Sequence, residues 1–128
     1  MARTREEESA RRRQAERRGH RGETLAAIAL RLRGYRILAR RFRTRAGEID
    51  LIARKGDVIA FVEVKARAGT LLAIDAVPAA TQRRIRAAGD IWLAQQYDRG
   101  RDYSGYTWRY DIVVIRPRRW PTHFTDAF

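Results

Sequence analysis

Apolar and polar positions alternate most regularly between Gly47 and Lys65. Two runs rich in β-branched residues, Ile49 to Ala53 and Val58 to Val64, flank Gly56-Asp57. This is the pattern of a β-hairpin closed by a two-residue turn. Such a turn pairs Lys55 with Val58 and so sets Asp50 opposite Glu63. Alternation then places Glu48, Asp50 and Ile52 on one face with Phe61, Glu63 and Lys65. Ile49, Leu51 and Ala53 share the other face with Ala60, Val62 and Val64. That second face is wholly apolar and is the expected core, while the first carries two acids and an amine at one spot.

The flanking segments read as helices and single strands. From Gly22 to Leu32 the residues Leu25, Ile28, Ala29 and Leu32 fall at helical spacing, giving an amphipathic helix with those side chains on its core face. Gly34 ends it as a left-handed cap, and Glu23 sits in its first turn, where a carboxylate complements the helix dipole. Tyr35 to Phe42 is the first strand. Ala66 to Thr70 is a short polar loop. Pro78 suits the first turn of a second helix, whose stripe is Ile85, Ala88, Ile91, Trp92 and Gln95, with Trp92 in the core and Gln82 within reach of the hairpin acids. Tyr97 to Tyr106 is a loop rich in Gly, Asp and Arg. Thr107 to Ile115 is a strand apolar on both faces and hence interior, with Asp111 expected to be satisfied by a neighbouring helix. Arg116-Pro117 ends that strand.

Helix, strand, hairpin, helix and strand in this order make a small α/β domain over residues 21–117, a mixed sheet with a central hairpin and helices packed against it. Residues 118–128 read as a C-terminal tail. Residues 1–20 are nearly all charged or small and form either a disordered basic arm or a solvated extension of the first helix. As an arm this segment would bind a nucleic-acid backbone; otherwise it is a frayed end.

Charge narrows the partner. The 128 residues carry a net charge of +13 and a pI of about 11.4, which points to a polyanion, with nucleic acid the first candidate and an anionic membrane surface the second. No run approaches the ~18 apolar residues of a membrane helix, and no apolar signal-peptide core is present. The expected place is therefore the cytoplasm. With no cysteine, disulfides and thiolate zinc sites are excluded. His20 and His123 make no recognisable ligand pair.

The hairpin acids carry the chemistry. Like charges directly opposed on a sheet destabilise it, so the pair has either an ordinary surface explanation, as part of an exposed Glu-x-Lys face, or a ligand. A hard divalent cation, Mg²⁺ or Mn²⁺, suits two such carboxylates, with waters and a substrate phosphate completing its shell. Lys65 then serves as a point charge on a phosphate or an attacking water, and the reaction class is metal-assisted phosphodiester hydrolysis. Of 28 basic residues only Lys55 and Lys65 are lysine, so position 65 keeps a compact, titratable ammonium in a chain that elsewhere uses arginine. Arg40, Arg41, Arg43 and Arg45 lead directly into the hairpin and are placed to contact phosphates, as are Arg83 and Arg84 on the second helix; arginines at a sheet edge also discourage aggregation.

Asp50 followed thirteen positions later by Glu63-x-Lys65 resembles the PD-(D/E)xK nuclease superfamily. The longer pattern comprises Gly22-Glu23, Gly34-Tyr35-Arg36-Ile37-Leu38, Gly47-Glu48-Ile49-Asp50-Leu51-Ile52-Ala53, Phe61-Val62-Glu63-Val64-Lys65-x-Arg67, Ala76-Val77 and Tyr110-Asp111. It is similar to the YraN-like family, small bacterial proteins related in fold to archaeal Holliday junction resolvases, over about Gly22 to Ile115. The resemblance implies a restriction-endonuclease-like fold and metal-dependent cleavage of DNA, branched or otherwise structured, by Asp50, Glu63 and Lys65. It also implies a metal set of Asp50, Glu63, the Val64 carbonyl and Glu23, a phosphate contact from Arg67, and a homodimer. At Thr81 the chain departs from relatives that carry lysine, which removes a basic contact at the start of the second helix. The alternative is a non-catalytic nucleic-acid-binding module that retains the fold. A third reading, a basic protein on an anionic membrane or a protein partner, predicts no preference for DNA among polyanions.

Overall fold

The computed structural model describes residues 4–67 and 77–128, the side chains of residues 15–19 excepted. Positions 68–70 of the expected polar loop, and Ala76 of the Ala76-Val77 pair, lie outside them. The first helix, α1 (Arg5–Leu32), runs for 28 residues, so the charged segment before Gly22 is, from Arg5, a continuation of the helix. Thr4 starts it with a capping box: Thr4 Oγ1 accepts from Glu7 N and the Glu7 carboxylate accepts from Thr4 N, each at 3.1 Å. The far end closes as a Schellman motif, with Gly34 at φ +94°, Gly34 N donating to Arg31 O and Tyr35 N to Leu30 O.

A five-stranded mixed sheet follows, built from β1 (Arg36–Arg43), β2 (Glu48–Lys55), β3 (Val58–Ala66), β4 (Thr107–Ile115) and β5 (Thr122–Phe124), in the spatial order β1-β2-β3-β4-β5. The β3–β4 pair is parallel, crossed over by α2 (Ala79–Asp98), and the other pairs are antiparallel. The chain is thus a small α/β fold of the restriction-endonuclease-like kind, with α1 against one face of the sheet and α2 against the other. Ala26, Ala27 and Leu30 of α1 pack on Leu51, Ala53, Ala60, Val62 and Val113. Ile85, Ala88 and Trp92 of α2 pack on Ile49, Ile52, Ile59, Phe61 and Tyr110.

The hairpin register is the expected one where the ladder exists: Lys55 pairs with Val58 and Leu51 with Val62, about Gly56 at φ +58°. Two expectations need correction. Both faces of the hairpin are core, since Ile52 and Phe61 are fully buried under α2. Ile49 joins them instead of sharing a face with Leu51 and Ala53; across from this stretch, β1 carries the left-handed Arg41 between Arg40, paired with Leu51, and Phe42, paired with Ile49.

On α1 the core stripe also differs. Leu25, Ile28 and Leu32 are 43%, 41% and 72% exposed, whereas Ala26, Ala27, Ala29 and Leu30 are buried. Two stripes share the helical period; Ala29 is buried as expected, and the face toward the sheet is otherwise Ala26, Ala27 and Leu30. At Gly22 the helix lies beside Ile115 and Val64, which a Cβ would meet at 3.8 and 3.9 Å, ordinary van der Waals contact. On α2, Trp92 is core as expected, edge-on to Phe61, but the buried amide is Gln96, with Gln95 exposed. The Gln82 amide is turned to the Val77 carbonyl at 2.8 Å.

The segment expected as a tail supplies β5, which pairs Ile112, Val113 and Val114 with Phe124, His123 and Thr122. It is fastened by Asp111, fully buried on β4. Asp111 accepts from Arg109 Nε and Nη2, each at 2.8 Å, and from Asp126 N at 2.9 Å; His123 Nε2 lies 2.8 Å from it. Its partners are strand and C-terminal residues, not the helix expected. Burial opposes the charge, but the bonds from His123, Arg109 and Asp126 outweigh it and hold the carboxyl below the usual carboxylate range. Arg109 Nη2 also reaches the Tyr35 hydroxyl at 2.6 Å, tying β4 to the end of α1. Removing one member of a buried charge pair costs roughly 3–5 kcal/mol. Asp111→Ala is therefore expected to lower stability by about that amount in urea unfolding, and to deprotect residues 122–127 first in amide exchange.

Candidate functional site

Asp50 stands where β2 parts from β3. The ladder ends at Leu51–Val62, and the next β3 donor facing β2, Val64 N–H, is answered by the Asp50 carboxylate at 2.7 Å. N–H and C=O of one residue in an extended strand point to the same side, so the Val64 carbonyl faces β2 as well. Burial pushes the Asp50 carboxyl up to about 6 against the Val64 hydrogen bond, with Glu23 and Glu48 adding to the rise. Glu63 is pushed up to about 7, first by burial and then by the charge of Asp50, against the opposing pull of Lys65. Lys65 is half-buried two residues farther along β3. The expected trio is thus one neighbourhood, in which burial outweighs the pull of Lys65 on Glu63.

Glu63 opens on a cleft of about 470 Å³ together with Arg45, Glu48, Thr81 and Arg84. Its wall is the β1–β2 turn. Thr44 Oγ1 accepts from Ala46 N and Gly47 N, and Thr44 N donates to Gly47 O. That turn is pressed against α2 so closely that a Cβ on Gly47 would lie 2.4 Å from the Arg84 carbonyl oxygen. Only glycine fits there without moving the wall, which gives Gly47 of the matched string a steric cause.

The other expected residues divide. Glu23 is buried on α1, near enough to raise Asp50, but Arg41 Nε holds both its oxygens at 2.9 and 3.1 Å. Arg41, at φ +51°, also places Nη1 2.6 Å from His20 Nε2. Among the described residues no group of three or more His, Cys, Asp or Glu is arranged to hold one metal ion. Glu23, expected beside Asp50 in a metal set, is thus engaged by Arg41. Arg40 is bound to Thr24 at 2.9 Å, and Arg67 to the Ala66 carbonyl at 3.0 Å. Arg43 meets Glu48 at 3.6 Å in an exposed pair, which contributes little. Arg45, Arg83 and Arg84 enter none of the ion pairs among the described residues. The role of Arg41 was not readable, because a left-handed arginine has no sequence signal; nor was that of Arg109, whose partner Asp111 was visible only as a polar residue in an apolar strand.

A family model described as "Uncharacterised protein family UPF0102" matches residues 22–115, a span containing every member of the site. The chain belongs to the UPF0102 family. This is the YraN-like family that its motifs resemble. It is 58% identical over 123 residues to the UPF0102 protein mlr4633 of Mesorhizobium japonicum, covering 96% of this chain and 95% of that one. It is 59% identical over 121 residues to the UPF0102 protein Atu0303 of Agrobacterium fabrum, covering 94% and 96%. It is 61% identical over 117 residues to the UPF0102 protein RL0336 of Rhizobium johnstonii, covering 91% and 93%. No helix among the described residues of this UPF0102 chain is long and apolar enough to cross a membrane.

The raised carboxyls make a signed prediction. Glu63 binds a proton more tightly folded, at about 7, than at its ordinary 4.5, so between those values the folded state holds more protons and stability falls as pH rises. Glu63→Gln removes that loss. The variant is expected to exceed the wild type by on the order of 1–3 kcal/mol at pH 8, with the gap closing as pH drops below about 5, measured by urea unfolding across pH without divalent cations.

Proposed function

We propose that this UPF0102 protein hydrolyses phosphodiester bonds in DNA with Mg²⁺ or Mn²⁺ held by Asp50, Glu63 and the Val64 carbonyl. The observation that carries the reading is the half-buried Asp50–Glu63 pair. Burial and neighbouring carboxylates hold their protons up to about 6 and 7, and a divalent cation would offset both effects. When bound, such a cation polarises the phosphodiester and lowers the pKa of an attacking water. Asp50 and Glu63 would fix its place, Asp50 already oriented by Val64 N–H. Lys65 would donate to the scissile phosphate or to the attacking water and offset charge that grows during attack. Arg45 and Arg84, on the cleft into which Glu63 opens, would position the backbone on either side without reading sequence. The net charge of +13 supports a polyanionic substrate. A preference for branched or structured DNA, and a homodimer, are part of the proposal on the resemblance alone.

One observation favours the second reading, a nucleic-acid-binding module that keeps the fold without cleavage. Glu23 is neutralised by Arg41, which leaves the metal two carboxylates instead of three. A cleavage assay separates the two readings, using labelled four-way junction, duplex and single-stranded DNA with Mg²⁺, Mn²⁺ or EDTA. The enzyme reading expects divalent-dependent products that fall by 10²-fold or more, roughly the loss of a principal electrostatic group, in both Asp50→Ala and Lys65→Ala. Salt-sensitive binding without products under any metal would leave the binding module.

A further inference from the structure

A second and larger cleft, about 600 Å³, opens at the opposite end of the hairpin from Asp50, between the outer ends of β1 and β2, the last turns of α2 and the loop leading to β4. Three arginines line it, Arg36, Arg54 and Arg101, with Tyr103 and Tyr106 beside them. Its one acid, Asp102, is turned into its own loop, where Oδ1 accepts from Ser104 N at 2.9 Å. None of the three arginines enters an ion pair among the described residues.

The cleft is also held in shape. Arg54 Nε donates to the Gly56 carbonyl at 3.0 Å, and its guanidinium lies 4.9 Å over the Tyr106 ring. Arg101 Nη1 donates to Oε1 of the buried Gln96 at 3.1 Å. A guanidinium has five donors, so each bond orients the group and leaves most donors for a ligand. Tyr103 stacks on the buried Trp92, with centroids 5.5 Å apart and planes 13° apart, and Tyr106 stands edge-on to Tyr103 at 5.0 Å. Two half-exposed rings anchored to the core beside three uncompensated forks of donors combine what unpaired nucleic acid needs. The forks take phosphates, and the aromatic and guanidinium planes take bases.

The placement connects this cleft to the first. The Glu63 cleft meets α2 at Thr81 and Arg84, and the second cleft meets it at Trp92 and Gln96. Both also contact the β1–β2 side of the sheet. Along the helix they lie roughly 16 Å apart at ~1.5 Å per residue, which is about five stacked nucleotides at ~3.4 Å each. We infer that the second cleft holds a nucleotide of an unpaired DNA strand, with its phosphate on Arg36, Arg54 and Arg101 and its base against the tyrosine side. The inference rests on the nucleic-acid part of the proposed function and is independent of metal and of cleavage.

The test is binding of a labelled oligothymidylate of about eight nucleotides, within the ~4–16 that such grooves cover, to the full chain in EDTA. Arg36→Ala makes no change to the bonds that hold the cleft, and with Arg101→Ala it is expected to weaken binding by about tenfold or more. Tyr106→Leu is expected to weaken it by at least about fivefold. In the wild type, the Trp92 indole N–H resonance is expected to shift on binding while that of Trp120 stays. Unchanged affinity in the arginine and tyrosine variants with no Trp92 shift would overturn the inference. Competition by inorganic phosphate or thymidine monophosphate at the same concentration as the oligomer would overturn it in favour of a free-anion or free-nucleotide site, and preference for duplex would overturn it too. Cleavage with unaffected variants refutes this cleft alone; an intact cleft without cleavage refutes only the metal chemistry.

Discussion

The backbone donor of Val64 is the constraint around which the site is organised. A buried N–H must find an acceptor, and at this point β2 no longer supplies one from its backbone. The Asp50 carboxylate does so at 2.7 Å. One oxygen of Asp50 is thereby fixed beyond the last β2–β3 pair, with Ile49 packed on the α2 side and Leu51 on the α1 side. Glu63 then emerges into a cleft whose wall is held by the contact of Gly47 with α2. The same hydrogen bond that orients Asp50 also lowers its proton affinity, yet burial wins, and the carboxyl stays well above its ordinary value. That imbalance is the physical basis of the cation reading.

The arginines show how little a count of charges says about roles. Arg41 neutralises Glu23 inside the fold and Arg40 fastens β1 to α1 through Thr24. Arg109 holds Asp111 and Tyr35 together at the C-terminal end. Their charges are used to close the sheet against α1 and to secure β5. Arg45 and Arg84 at one cleft, and Arg36, Arg54 and Arg101 at the other, retain donors that no acid claims, and they sit along one side of α2.

The hairpin was legible because local chemistry determined it: Gly56-Asp57 dictated a two-residue turn, and the turn dictated the register from Lys55–Val58 to Leu51–Val62. The cap at Gly34 and the burial of Trp92 were equally local. What could not be read depended on tertiary partners. Leu25, Ile28 and Leu32 have the period of a core stripe, but the face that meets the sheet is that of Ala26, Ala27 and Leu30. Residues 122–124 have no strong strand pattern, and their strand exists because Asp111, Arg109 and the edge of β4 receive them. Asp50, Glu63 and Lys65 were visible as a spacing, whereas the engagement of Glu23 by a left-handed Arg41 was not, since it requires the approach of β1 to α1.

Calorimetric titration of Mn²⁺ into the wild type and Asp50→Asn is the most direct measurement of the account. The asparagine keeps an acceptor for Val64 N–H and removes only the charge. The account predicts one saturable site in the wild type, with proton release on binding near pH 6.5, between the values to which Asp50 and Glu63 are raised. It predicts that Asp50→Asn abolishes this site while leaving the fold intact. Saturable binding that survives Asp50→Asn, or no saturable binding by the wild type at pH 8, would contradict it.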